Sequence, residues 1–90
     1  VSCQAGRSAL NNFAVRYGLQ LANCRNSLAV YMNKQAMEKL ARSVPPGVPI
    51  RKDGSRCNPL RTFAETILMC LRPQPGGNGF RCIYMNEVVL

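Results

Sequence analysis

Cysteine is the residue type in this sequence whose number and spacing bear most directly on chemistry. No two of the five cysteines form a Cys-x-x-Cys pair, the spacing that zinc and iron–sulfur sites commonly use, so we expect no metal and no cofactor. Widely spaced cysteines in a short chain indicate disulfides that staple a small core, and an odd number leaves one thiol free or bonded to a second chain. The alternative is a set of reduced thiols in an intracellular protein. The five are Cys3, Cys24, Cys57, Cys70 and Cys82.

The side chains that most enzymes need are scarce. The sequence has no histidine, which removes Ser-His and Cys-His nucleophilic pairs and histidine acid–base catalysis. Its acidic residues, Glu38, Asp53, Glu65 and Glu87, are far apart, which disfavours a paired-carboxylate hydrolase. The glycine-rich run 76–79 lacks the Walker pattern and indicates a turn. We therefore expect a non-enzymatic protein.

A net charge of +8, carried by nine arginines and three lysines, favours anionic partners. Nucleic acid, acidic lipid headgroups and an acidic protein surface all fit, and high solubility alone is the simpler alternative. Arginine suits bidentate contacts to phosphate or carboxylate. The densest basic cluster is predicted around a hairpin and the start of the next helix, where it is either a binding patch or a solvated turn. It comprises Arg51, Lys52, Arg56 and Arg61.

Helical periodicity dominates the first half of the chain. Apolar residues at helical spacing predict an amphipathic helix from Ser8 to Cys24, weakened at Gly18. A second helical run is predicted from Asn26 or Ser27 to Val44, where two prolines end it.

The sequence of the second half of the chain predicts a hairpin, a helix and a strand. Asp53-Gly54 marks a hairpin within 48–57. Asn58 and Pro59 are strong signals for the N-terminus of a helix that ends before Pro73. Strands are predicted at 1–5, 80–85 and 88–90. The fold class is therefore α+β: one domain, 1–90, with helices packed on one face of a small antiparallel sheet.

Two features bear on location. The longest apolar run, Ile67–Leu71, is too short to cross a membrane. A chain that begins at Val1 instead of Met is expected of a processed product or of a trimmed chain, and the cysteines favour secretion.

The order of these features resembles the small disulfide-bonded subunits of virus-encoded fungal killer toxins and the related secreted effectors of plant-pathogenic fungi. The matching segments are Val1-Ser2-Cys3-Gln4, Ala22-Asn23-Cys24, Asp53-Gly54-Ser55-Arg56-Cys57, Met69-Cys70-Leu71-Arg72, and Cys82 after the glycine loop. Those proteins carry an even set of cysteines, often with a Cys-x-Cys near the start, where this chain has Ala5.

The resemblance implies an α/β sandwich stapled by disulfides and an activity of host-directed interference by binding. It further implies a Cys3–Cys82 bond between terminal strands and a Cys24–Cys70 bond between helical regions, with Cys57 free or intermolecular. We expect a secreted, non-enzymatic effector or toxin-like protein that binds a host or competitor target. The alternatives are an intracellular nucleic-acid-binding domain and a cationic membrane-active antimicrobial protein. The odd cysteine and the apolar C-terminus also allow a homodimer.

Overall fold

The computed structural model describes residues 5–46 and 58–85. The described chain forms three α-helices and a four-stranded antiparallel sheet, which is an α+β fold as the sequence predicted. The predicted hairpin at 48–57 and the predicted strand at 88–90 lie outside the described residues, as does all but the last residue of the predicted strand at 1–5. The elements are α1 (Arg7–Tyr17), β1 (Gln20–Cys24), β2 (Ser27–Met32), α2 (Lys34–Arg42), α3 (Pro59–Cys70), β3 (Arg72–Pro73) and β4 (Phe80–Tyr84).

The first predicted helix is correct only as far as Gly18. This residue adopts a φ of 79°, a left-handed conformation that glycine takes at little cost, and it ends α1. The chain then continues as a strand. The prediction of helix as far as Cys24 was therefore wrong.

The second predicted helix was wrong in its first part. Residues Ser27–Met32 form β2, and the helix begins only after Asn33, whose side-chain oxygen accepts a hydrogen bond from the Ala36 N–H at 2.7 Å. It ends at Arg42, shortly before the two prolines.

The third helix follows the prediction. The Asn58 side chain accepts a hydrogen bond from the Arg61 N–H at 3.1 Å, and Pro59 occupies the first turn. The Asn58 amide also donates a hydrogen bond to the Pro46 carbonyl, which joins the two ends of segment 47–57.

The sheet has the strand order β1-β2-β4-β3. One face of the two central strands, β2 and β4, packs against the helices and forms the core, in which Phe63 and Ile67 of α3 are buried. The Phe63 ring meets the rings of Phe13 and Tyr84 edge to face, with centroids 5.8 and 4.8 Å away. Because strand residues alternate between faces, the residues between the core positions point to the other side of the sheet.

Candidate anion-binding site

Most of the predicted basic patch lies outside the described residues, which include only Arg61 among its members. The Arg61 guanidinium donates to the Glu65 carboxylate at 2.7 Å, one helical turn away on α3. Both side chains are about half exposed, so this pair contributes little to stability. The charge of Arg61 is balanced locally, which makes it a weak anchor for an anion.

Only some of the cysteines for which the resemblance implies disulfide bonds lie within the described residues. Cys3 and Cys57 lie outside the described residues. Cys24 ends β1 and is exposed, Cys70 ends α3 and is exposed, and Cys82 is buried in β4; all three are free thiols. The structure does not bring Cys24 and Cys70 together, because β1 and β3 are the opposite edges of the sheet and Cys70 precedes β3.

A different group of polar side chains meets in one line across the sheet. Strand pairing places Gln20 opposite Tyr31, Tyr31 opposite Arg81, and Arg81 opposite Arg72. Each of the four strands therefore contributes one residue to a row that we call the arginine row. Neighbouring strands lie about 4.8 Å apart, so the row extends over about 14 Å. Its residues are Gln20, Tyr31, Arg81 and Arg72.

The two arginines at one end of the row face each other directly and are both exposed. Like charges at directly opposite positions of an antiparallel pair destabilise it. The Arg81 guanidinium also lies over the Tyr31 ring, 5.8 Å from its centroid, which is favourable for a cation.

Acidic side chains do not balance the row within the described part of the chain. The two acidic residues described are Glu38 and Glu65. Glu65 is paired with Arg61 on α3, and Glu38 lies on α2 among the residues that surround another groove. The row therefore presents amide, phenol and guanidinium donors with an excess of positive charge, the donor set that carboxylate and phosphate oxygens accept from.

The β3–β4 connection holds the arginines in place. The Gln74 N–H donates to the Gly79 carbonyl at 2.8 Å, and the Asn78 amide donates to the Pro75 carbonyl at 3.2 Å. Gly79 has a φ of 91°, and a Cβ there would lie 2.5 Å from the Met32 carbonyl oxygen. The Gln74–Gly79 hydrogen bond closes the hairpin that sets Arg72 against Arg81, and the close approach of Gly79 to Met32 places the start of β4 against the end of β2.

A cavity of about 400 Å³ opens beside this sheet edge. Arg72, Arg81, Ile83 and the two cysteines Cys70 and Cys82 are among the residues that line it. Burial raises the pKa of the Cys82 thiol to about 11, with a further increase from the neighbouring Cys70, while the Arg72 charge opposes the change. The residues around the cavity thus include two arginines and two cysteines.

A larger groove of about 820 Å³ lies between the start of α2 and the glycine-rich loop. Its walls include both Lys34 and Glu38, so they favour no single sign of charge. The described residues hold no group of three or more potential metal ligands.

Sequence reasoning missed the arginine row. Its members are spread from position 20 to position 81, and Arg72 was assigned to the end of a helix. The sequence does contain a signal for the two arginines. Arg72 and Arg81 lie on either side of a proline- and glycine-rich loop, so a hairpin closed by that loop places them opposite each other.

The chain matches no protein-family model, and the comparisons with curated proteins and with solved structures found no match. Among the described helices, none combines the length and the apolar character that a membrane crossing requires.

Proposed function

We propose that this chain is a small secreted, non-enzymatic binding protein, of effector or toxin type, that captures an acidic protein target on its arginine row. The observation that carries the proposal is the pair Arg72 and Arg81, directly opposite on exposed strand positions without an acidic partner in the described structure. Such a pair costs folding free energy, and an anion placed between the two guanidinium groups would reverse that cost.

The residues beside the row favour a protein target. Ile83 follows Arg81 on the same face of β4 and is 38% exposed, and Met85 beyond the strand is 68% exposed. Arginine, tyrosine and methionine are enriched in protein–protein interfaces, and arginine and tyrosine supply much of their binding energy. A mixed surface of this kind suits a protein with acidic residues around an apolar contact.

The proposals that the protein is secreted and that it is not an enzyme are supported by its sequence. The chain has no histidine, a net charge of +8 and five widely spaced cysteines. Widely spaced cysteines are typical of small extracellular proteins, and the lack of histidine removes the commonest acid–base catalyst, which supports a protein that acts by binding.

The test compares two double variants that remove the same charge. Arg72→Gln/Arg81→Gln removes both cations of the row, whereas Arg16→Gln/Arg42→Gln removes two exposed cations from α1 and α2. Binding of labelled polyglutamate is measured by fluorescence anisotropy at low salt, and again at about 0.15 M salt, where the Debye length falls to about 8 Å.

We expect the row variant to weaken polyglutamate binding by about tenfold or more, because each charge-assisted hydrogen bond contributes about 1.5–3 kcal/mol. At about 0.15 M salt the matched variant should change binding by no more than about twofold, since distant exposed charges are then screened. Equal weakening in both variants would show that net charge alone attracts the probe, and the proposed site would be abandoned.

Nucleic acid is the second candidate, favoured by the half-buried Tyr31 ring next to Arg81 on an open sheet. Aromatic rings on sheets stack with unpaired bases, at about 1–3 kcal/mol per base. A single-stranded oligonucleotide that binds more tightly than polyglutamate at equal salt, and loses about fivefold or more with Tyr31→Leu, would favour this candidate. Leakage of anionic phospholipid vesicles would instead favour membrane activity.

A further inference from the structure

The folded chain brings Cys70 and Cys82 to the same place. Cys70 is the last residue of α3, and Cys82 follows Arg81, the residue that faces Arg72 across the β3–β4 pair. Both residues line the cavity of about 400 Å³, and Cys70 is among the groups that act electrostatically on the Cys82 thiol. This neighbour relation differs from the pairing implied by the resemblance.

The two thiols differ in access to solvent. Cys70 is exposed, whereas Cys82 is only 2% exposed and packs into the core. A dissolved disulfide can therefore reach Cys70 much more readily than Cys82. The charged and titratable groups that act on Cys82 are Cys70 from α3 and Arg72 from β3.

We propose that Cys70 and Cys82 are a thiol–disulfide exchange site, at which a small dialkyl disulfide of the glutathione type oxidises them to an intramolecular disulfide. In the first step the Cys70 thiolate attacks one sulfur of the small disulfide. A bond forms between Cys70 and that sulfur, the small disulfide's own S–S bond breaks, and one small thiol leaves.

In the second step the Cys82 thiolate attacks the Cys70 sulfur of the mixed disulfide. The Cys70–Cys82 bond forms and the second small thiol leaves. The two small thiols take up the two protons that the cysteines give up. The protein dithiol is oxidised by two electrons, and the small disulfide is reduced by the same two.

The second step should be slow at neutral pH because the thiolate is the nucleophile and the pKa of Cys82 is raised to about 11. Its rate should rise about tenfold for each pH unit from about pH 7 to about pH 10. Arg72 stabilises the thiolate electrostatically, so Arg72→Gln should slow the second step several-fold at a given pH.

The experiment incubates the fully reduced chain with oxidised glutathione and follows intact mass after acid quenching. A tryptic map without reduction then identifies the linked peptides. Trypsin cleaves after Arg81, which separates the two cysteines into different peptides. Variants are Cys70→Ser, Cys82→Ala and, as a control at another exposed thiol, Cys24→Ser. Circular dichroism confirms that each variant is folded.

In the parent chain we expect a transient glutathione adduct on Cys70, followed by a peptide linked through Cys70 and Cys82. Cys82→Ala should stop at the adduct, Cys70→Ser should give no bond to Cys82, and Cys24→Ser should behave as the parent. If Cys82→Ala does not fold, the Cys70→Ser variant and the pH profile of the parent chain still test the proposal. Cys70 is exposed, so its replacement should leave the fold intact.

Three outcomes would overturn the proposal. They are a bond from Cys70 to Cys3, Cys24 or Cys57 in place of Cys82, a glutathione adduct on Cys70 that persists in the parent chain at high pH, and a second-step rate that does not change with pH. None of these measurements depends on the arginine row binding an acidic target, so the two proposals fail separately.

Discussion

Replacing Arg72 with glutamate turns a repulsive cross-strand pair into an attractive one while leaving the contact between Arg81 and Tyr31 in place. Directly opposite side chains in an antiparallel pair have Cβ atoms about 5 Å apart, and opposite or like charges there change stability by about 0.2–1 kcal/mol. Charge reversal removes one such cost and adds one such gain. Arg72→Glu should therefore stabilise the fold by about 1 kcal/mol, with a range of about 0.4–2 kcal/mol.

The assay is urea unfolding followed by far-UV circular dichroism, supported by thermal unfolding. For a domain of this size 1 kcal/mol corresponds to a rise in Tm of about 4–8 °C. Arg72→Gln, which removes the repulsion without adding attraction, should give about half the gain. At about 1 M salt the Debye length is about 3 Å, so the gain should largely disappear.

The same substitution should weaken polyglutamate binding, because it places a negative charge inside the arginine row. A variant that is more stable and binds less well is the pattern expected where function maintains an unfavourable local charge. The reasoning would be refuted if Arg72→Glu destabilised the fold at low salt, or if its gain in stability persisted unchanged at high salt.

Three other perturbations test the structure. Gly79→Ala should lower the free energy of unfolding by about 3 kcal/mol or more, because the new Cβ meets the Met32 carbonyl oxygen at 2.5 Å. The control Gly77→Ala meets no atom within 4 Å and should lower it by about 1 kcal/mol. Urea unfolding measures both values. Asn58→Ala should lower the free energy of unfolding by about 2 kcal/mol, since it removes a helix cap and the hydrogen bond to the Pro46 carbonyl. A decrease below about 0.5 kcal/mol would contradict this. The raised pKa of Cys82 means that its neutral thiol stabilises the fold fully below about pH 9 and that this contribution is lost as the pH rises to about 11. Under reducing conditions Cys82→Ala should therefore lose less stability than the parent over that range, and equal losses would be evidence against it.

The elements that the sequence predicted well carry their own local signals. Helix α3 has a capping asparagine, a proline in its first turn and a proline after its end, so its bounds are marked in the local sequence. Strand β4 follows a glycine-rich loop and is rich in aromatic and β-branched residues. In both cases local structure and tertiary packing favour the same conformation.

The errors between Gly18 and Asn33 have a physical cause. Five of the six residues of β2 are buried, because it is a central strand covered by helices on one face and flanked by strands on both sides. It therefore lacks the alternation of apolar and polar residues that marks a half-exposed strand, and a short apolar run fits a helix equally well. The β1–β2 turn places Arg25 at a φ of 53°, where a glycine or asparagine would have signalled a hairpin.

The arginine row could not be read from the sequence for a related reason. Its residues become neighbours only through the strand register, and a shift of one residue would turn Arg81 to the core face. The predicted cluster at 51–61 was visible because its members are close in sequence, yet Arg61 proves to be engaged with Glu65. For Arg61, proximity to other cations along the chain therefore did not reveal that its charge is paired.

The hydrogen bond from Asn58 to the Pro46 carbonyl has a consequence for how this protein can diverge. It clasps the chain on either side of segment 47–57, so the helices before and after that segment keep their relative position by contacts that do not belong to it. For a flexible connection whose ends are held together, each doubling of length costs only about 0.6 kcal/mol. Changes of length or charge between Pro46 and Asn58 should therefore leave this link between the two helices in place, whereas a substitution at Asn58 removes it.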